Sequence, residues 1–333
     1  MELAHISAHA ARLYALQLRL RPVQHGTLMP FSGEMVHGAF LRWLRDAAPD
    51  VVSWLHEGQK RRFFTCSSLQ FNRPAPALLR AERENIHLPL DPRETYTVRL
   101  TLLLSDLFPL LSEALAPFQG ARQASGAAGA LADARWQNKP APSLQFGKQH
   151  CLLEDVILAN QQAASWTGFT SLEQLVEQAR QKTFERQSTL TLEFSSLTAF
   201  SRGSSRDGYG TFPIMLPLPE LVFQNLLRRW EDIAPPALVG LLEKERLERY
   251  LQEDGVIIVD YDLKAHHVHF TTHEQRGFLG ACTYQLRGPD DRPTTETSLT
   301  PRQQIYLLAQ LAFYTGIGYK TTMGLGQSRI VSA

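Results

Sequence analysis

The sequence predicts an α+β fold built from two ferredoxin-like domains in tandem, each of order βαββαβ. Three observations carry the prediction. Stretches in which apolar and polar residues alternate, the mark of a half-buried strand, are interleaved with stretches of helical spacing. The same order of elements runs through the chain twice. The length of 333 residues suits two cores, since domains run to roughly 100–200 residues each.

In the first unit Tyr14, Leu16, Leu18 and Leu20 alternate with Gln17, Arg19 and Arg21, which predicts a strand from Leu13. A turn-rich stretch through Pro30 and Gly33 follows. Val36, Phe40, Trp43 and Leu44 then recur at helical spacing, and this helix is expected to stop near Ala47, ahead of Pro49. Strands are predicted at Phe63–Gln70 and Thr95–Leu104, then a short helix at Leu107–Leu115 and a closing strand at His150–Leu158. Between these last two, Gly120–Ala141 is rich in Gly, Ala and Pro and reads as a long loop. The boundaries are 1–160 for this unit, 161–187 for a polar connector with one helix near Leu172–Gln181, and 188–333 for the second unit.

The second unit opens with an alternating strand at Thr189–Phe200. Helices are predicted at Leu221–Trp230 and Leu238–Leu251, then strands at Val256–Phe270 and Arg276–Leu286 with Glu274 in the turn between them. Ile305, Leu308, Ala309, Ala312 and Phe313 mark one face of a further helix, and Gly326–Val331 reads as the last strand.

Composition narrows the function. With 44% hydrophobic and 20% charged residues the chain reads as globular. Its net charge of +1, from 34 Lys and Arg against 33 Asp and Glu, means that any nucleic-acid site must be a local basic cluster. The three cysteines, Cys66, Cys151 and Cys282, are too few and too scattered for a disulfide framework or a zinc knuckle, so reduced and buried thiols are expected. No secretory signal opens the chain and no apolar run approaches the roughly 18 residues of a membrane span. A soluble, cytoplasmic protein without a membrane partner is the expectation.

The segment Gly316-Ile-Gly318-Tyr-Lys320-Thr-Thr-Met-Gly324-Leu-Gly326 packs four glycines into eleven residues around one lysine. Phosphate loops of the Walker and Rossmann types follow a strand and open a helix. This one follows a helix and precedes a strand, which excludes a nucleotide-binding reading. Two readings stay open: a helix C-cap at Gly316 with a flexible connection, or a loop whose N–H groups approach an anionic backbone beside Lys320. Ser201-Arg202-Gly-Ser-Ser-Arg206-Asp-Gly-Tyr209 adds two arginines for phosphate and a tyrosine for base stacking. The alternative there is an ordinary surface loop, and Arg228-Arg229 on the following helix could extend a basic stripe. His266-His267-Val-His269 invites a metal reading, but on a strand only His267 and His269 share a face. No acidic or cysteine partner completes the set in sequence, so no metal and no cofactor are expected.

The stretch YTGIGYKTTMGLGQSRI closely resembles the C-terminal glycine-rich motif of the CRISPR RNA-processing endoribonucleases of the RAMP superfamily. LTAFSRG with LPLPELVFQNLLRRWEDIAP, and more weakly GEMVHGAFLRWL with WLHEGQKRRFFTCSSL, resemble further segments of that family. The resemblance implies a RAMP, RRM-like version of the fold. It also implies metal-independent cleavage within CRISPR repeats by the ribose 2′-hydroxyl, giving guide RNAs with 5′-hydroxyl and 2′,3′-cyclic phosphate ends. Such chemistry needs a base, an acid and positive charge near the phosphorane, and histidine suits either proton role because its ordinary pKa is about 6.5.

By the same resemblance the catalytic histidine falls on His56, with Arg62, or Lys60 in a shifted register, as the phosphate-stabilising group. Some relatives carry a tyrosine on the first helix where Leu41 stands, and many have lysine where Arg62 stands. His37, on the same helix as Leu41, is the candidate to act instead of His56 or beside it. The implied RNA-binding residues are Gly316, Gly318, Lys320, Gly324, Gly326, Arg202, Arg206 and Tyr209. Implied partners are CRISPR repeat RNA in precursor transcripts and subunits of a CRISPR effector complex, with the chain a monomer or a homodimer. A non-catalytic RNA-holding RAMP subunit is the alternative function, and a protein scaffold on the same double fold is a second.

Overall fold

The computed structural model describes residues 12–47, 63–109, 111, 143–158, 166–181, 188–202, 212–288 and 298–331. The expected loop at 120–141 and most of the helix expected from Leu107 lie outside them, although residues 107–109 are helical.

In the first half, β1 (Arg12–Pro22) is followed by β2 (Gly26–Leu28), α1 (Gly33–Ala47), β3 (Phe64–Cys66) and α2 (Ala75–Glu84). Then come β4 (Leu88–Leu90), β5 (Tyr96–Leu102), β6 (Ser143–Phe146) and β7 (Gln149–Ile157). The sheet runs β3-β5-β1-β7-β6 with antiparallel neighbours, so its four principal strands lie in the ferredoxin-like order second, third, first, fourth. Register follows the hydrophobic pattern. Leu16 pairs with Leu100 and Leu18 with Val98, which puts apolar side chains of both strands on the face that α1 covers with Val36 and Phe40.

Three local expectations change in this half. The strand expected over 63–70 is only β3, with an isolated bridge from Gln70 to Thr97. Between them Leu69 N–H donates to Ser32 Oγ instead of continuing the ladder. The stretch after Pro74 folds as α2, because proline in the first helical turn costs no hydrogen bond. Asn85, at φ 50°, ends that helix in the left-handed region. Within 161–187, β8 (Gly168–Ser171) pairs with β1 and leads into α3 (Leu172–Arg180). That helix opens on a capping box between Ser171 and Gln174.

The second half contains β9 (Thr189–Thr198), β10 (Phe200–Arg202), β11 (Phe212–Ile214), α4 (Pro219–Ile233), α5 (Pro236–Val239) and α6 (Lys244–Gln252). It continues with β12 (Val256–His269), β13 (Glu274–Leu286), α7 (Pro301–Thr315) and β14 (Ser328–Val331). Its sheet order, β12-β13-β9-β14, is the same ferredoxin-like order. The helix expected over 238–251 is two helices separated at Gly240. Glu274, expected in a turn, is the first residue of β13 and pairs with His269. The turn proper is 270–273, closed by Phe270 N–H on the His273 carbonyl.

The halves share one core. Helix α7, read from sequence as apolar on one face, is buried nearly all round. It lies on the face of the first sheet opposite α1: Thr101 Oγ1 donates to the Tyr314 carbonyl (2.7 Å) and Arg99 to the Phe313 carbonyl (2.6 Å). Leu13 and Ala15 are therefore as buried as Leu16, although simple alternation puts them on the solvent side. Arg99 is itself buried. Its guanidinium sits between the rings of Trp166 (5.2 Å) and Phe313 (4.6 Å) and donates to the Trp166 carbonyl (2.8 Å), and burial pulls its pKa down to about 9. Among the described residues no helix is long and apolar enough to cross a membrane.

Candidate functional site

The glycine-rich segment leaves the end of α7 and turns back into β14 through a buried loop. All four glycines have positive φ, and at Gly326 (φ +71°) a Cβ would lie 2.0 Å from the Ile317 carbonyl oxygen, so glycine alone fits. The N–H groups of this loop are largely used inside the fold. Gly316 N–H donates to Ala312 O, Ile317 to Gly326 O, Gly318 to Asn225 Oδ1 and Gly326 to Leu197 O. Of the two readings open from sequence, these hydrogen bonds fit the helix cap with a buried connection. The glycines let backbone approach backbone, and the charge must come from side chains.

Close approach continues into the first half. A Cβ on Gly33, at the start of α1, would sit 2.0 Å from the Met323 carbonyl oxygen. The Thr322 carbonyl receives two groups: His37 Nδ1 from α1 at 2.9 Å, and Cys66 Sγ from β3 at 2.9 Å. A carbonyl only accepts, so His37 carries its proton on Nδ1 there. Its ring stacks on Phe64, with centroids 5.4 Å apart. Burial pushes the Cys66 thiol well above its ordinary pKa, which keeps it a donor. Leu41, one turn beyond His37, is half-buried against the core.

Lys320 projects from a left-handed backbone (φ 57°) onto the tip of the β12–β13 hairpin. Its ammonium lies 4.0 Å from the Phe270 ring centroid and 2.6 Å from His273 Nε2. Burial lowers its pKa, and the Glu34 carboxylate opposes that shift. Glu34 Oε2 accepts from both the N–H (2.7 Å) and Oγ1 (2.9 Å) of Thr271, which ties the hairpin to the first turn of α1. On α4, Arg229 is half-buried and donates to Thr321 Oγ1 at 3.3 Å, while Arg228 is exposed.

The structure thus brings His37 together with the loop of Gly316, Gly318, Lys320, Gly324 and Gly326. Arg202 stands in β10 with its backbone paired to Phe212. His56, Lys60, Arg62, Arg206 and Tyr209 lie outside the described residues. Phe64, Glu34 and His273, and the contact of the expected buried thiol Cys66 with the loop, escaped the sequence reading. Their partners are distant along the chain, and no local spacing announces them.

The histidines of β12 meet the C-terminus of α2. His267 Nε2 and His269 Nε2 each lie 3.2 Å from the Arg83 carbonyl oxygen, and His266 Nε2 is 2.8 Å from Glu82 Oε2. Glu274, opposite His269 in the hairpin register, completes a group of three potential metal ligands whose donor atoms lie within 4.8 Å of one another. The acidic partner that sequence order did not supply is supplied by strand pairing.

Residues 192–328 match the family model of the CRISPR-associated endoribonuclease Cas6. No match is found among curated protein sequences. Among solved structures, a Cas6 product complex is 24% identical, covers 96% of this chain and 100% of its own, and superposes with a TM-score of 0.67. Thermus thermophilus Cas6 is 22% identical over 98% of this chain and 100% of its own, with a TM-score of 0.60. A Cas6 substrate mimic complex is 21% identical over 97% and 100%, with a TM-score of 0.57. At these identities the structures speak for the fold alone, and it is the fold of both halves. Residues 192–328 thus match the family model of the CRISPR-associated endoribonuclease Cas6, and nearly the whole length of the chain shares the fold of solved Cas6 structures.

Proposed function

We propose that this protein cuts CRISPR repeat RNA within precursor transcripts by attack of a ribose 2′-hydroxyl on the adjacent phosphate, without a metal ion in the reaction. A base takes the 2′-hydroxyl proton as the 2′-oxygen bonds to phosphorus. The bond from phosphorus to the 5′-oxygen breaks, and an acid protonates that oxygen, leaving a 2′,3′-cyclic phosphate and a 5′-hydroxyl. His56 takes a proton-transfer role, and Arg62, or Lys60, stabilises the phosphorane charge. Residues 1–160 bring this histidine, residues 188–333 bring the glycine-rich loop, and 161–187 connect them.

One observation carries the reading. His56, Lys60 and Arg62 stand on the segment that joins α1 to β3, and α1 and β3 are both pinned to the glycine-rich loop through one atom, the Thr322 carbonyl oxygen. The two elements that flank the histidine segment in sequence are thus both held to the glycine-rich loop, which supports reading His56 and that loop as parts of one site. Lys320 supplies charge from the loop, and Arg202, Arg206 and Tyr209 hold single-stranded RNA beyond it. His37 is the second candidate for proton transfer. Its imidazole is of the right type for either proton role, and its Nδ1 donates to the Thr322 carbonyl.

The test is cleavage of the cognate repeat RNA in EDTA by wild type and His56→Ala, with a 2′-deoxy substitution at the scissile nucleotide as a third arm. Cutting at one position by wild type alone, abolished by either change, is the expected result. Tight binding with no cutting by wild type would make the chain an RNA-holding subunit instead.

A further inference from the structure

We propose that His267, His269 and Glu274 form a structural binding site for a zinc-type divalent ion that clips the two halves of the molecule together. The ion takes no part in the bond-making steps of the cleavage reaction proposed above.

The first support is the ligand set. His267 and His269 occupy one face of β12, and pairing of β12 with β13 sets Glu274 opposite His269 on that face. All three donor atoms lie within 4.8 Å of one another. Ligation at the roughly 2.0–2.2 Å of zinc–nitrogen and zinc–carboxylate bonds needs only side-chain movements of about an ångström. Two imidazoles and one carboxylate suit zinc and its neighbours and suit magnesium or calcium poorly. Arg276 Nε holds Glu274 through Oε1, which orients the carboxylate and leaves Oε2 as the ligating oxygen.

The second support comes from the other half of the molecule. Both imidazole Nε2 atoms converge on one point, the Arg83 carbonyl oxygen, at 3.2 Å each. That oxygen belongs to the last turn of α2, where the unpaired carbonyls carry the negative end of the helix dipole. A cation placed between the two imidazoles meets a carboxylate, a carbonyl and a helix C-terminus together. Without metal, the two N–H groups donate to the carbonyl and close the same junction more weakly. With metal, both imidazoles turn neutral lone pairs to the ion, and the Arg83 carbonyl or a water fills the fourth position.

The consequence is mechanical. The β12–β13 hairpin carries Phe270 and His273 at its tip, where Lys320 packs. An ion at its base fixes that hairpin against α2, and with it the position of the glycine-rich loop's only lysine.

Zinc chloride titrated into EDTA-stripped, dialysed full-length protein, followed by calorimetry, is expected to show one tight equivalent. His267→Ala, His269→Ala and Glu274→Gln should each weaken that binding by roughly 10–100-fold or more, since losing even a group that only hydrogen-bonds to a ligand costs that much. His150→Ala, on β7, should bind as wild type does. Substituting Co2+ reads the geometry, because a four-coordinate site gives intense visible d–d absorption, lost in His269→Ala. Zinc should also raise the melting temperature of wild type and not of the three variants, each checked for folding by circular dichroism. Absence of binding by wild type overturns the proposal. So does binding that survives the three substitutions, or that His150→Ala reduces equally.

Discussion

At residue scale, the side chains around the glycine-rich loop divide into those that hold it and those free to serve RNA. His37 holds it through the Thr322 carbonyl, and His37→Asn keeps a donor for that bond while removing the imidazole. If His37 is an anchor, this variant cleaves repeat RNA at close to the wild-type rate while His37→Ala does not; loss of cleavage in both marks it as an acid or base. Lys320 is the charged group of the loop, and Lys320→Ala is expected to weaken RNA binding at every sequence and lower the salt slope by about one. An unchanged slope in a fluorescence titration across salt concentrations would remove Lys320 from the phosphate contacts. Cys282 offers a pH signature. Burial raises its pKa from an ordinary 9.0 to about 11. The folded value lies above the unfolded one, so the stabilisation is complete below pH 9 and is lost as pH rises through 11. Cys282→Ala should flatten the fall of melting temperature across that window, and an unaltered slope would assign the fall to other groups.

At element scale the glycines separate into two kinds. In the loop they permit contact of backbone with backbone. Gly326→Ala puts a methyl 2.0 Å from the Ile317 carbonyl oxygen at a φ of +71°, a clash no side-chain rotation relieves. Such backbone strain costs about 1–3 kcal/mol, so a lower melting temperature and weaker RNA binding should appear together. Gly38, inside α1, has nothing within 4 Å of a built Cβ. Gly38→Ala should therefore stabilise by about 0.5–1 kcal/mol, the helix penalty of glycine relative to alanine. Thermal unfolding of the pair tests both signs at once. Elements with strong local signals, such as β1, α1, β12 and β13, were legible from alternation and helical spacing. The missed helix α2 was hidden by Pro74 and Pro76, which suggest a loop until Pro74 is seen as the N-cap and Pro76 within the first helical turn.

At the scale of the whole molecule, the two halves are joined by buried polar contacts as well as by a common apolar core. Arg99 links β5 to the Trp166 and Phe313 carbonyls. Arg99→Met should cost about 2–6 kcal/mol, because it orphans two buried carbonyl oxygens at roughly 1–3 kcal/mol each. A single thermal transition that moves down as one unit would show that the halves unfold together. Two separated transitions would show that this contact is what couples them.

The sequence by itself determined the two ferredoxin-like orders, the position of the loop and the likeness of residues 192–328 to the Cas6 family model. Each of these is written in local periodicity or in a contiguous motif, as in Tyr14–Arg21 and Gly316–Gly326. Tertiary structure decided what those pieces do to one another. It buried α7 on all sides, turned the loop's N–H groups inward, set His37 and Cys66 on one carbonyl, and brought Glu274 across to His267 and His269. The physical reason is range. Periodicity records which face of an element is apolar, whereas a hydrogen bond from residue 37 to residue 322 depends on how two sheets stack, and no spacing along the chain encodes it.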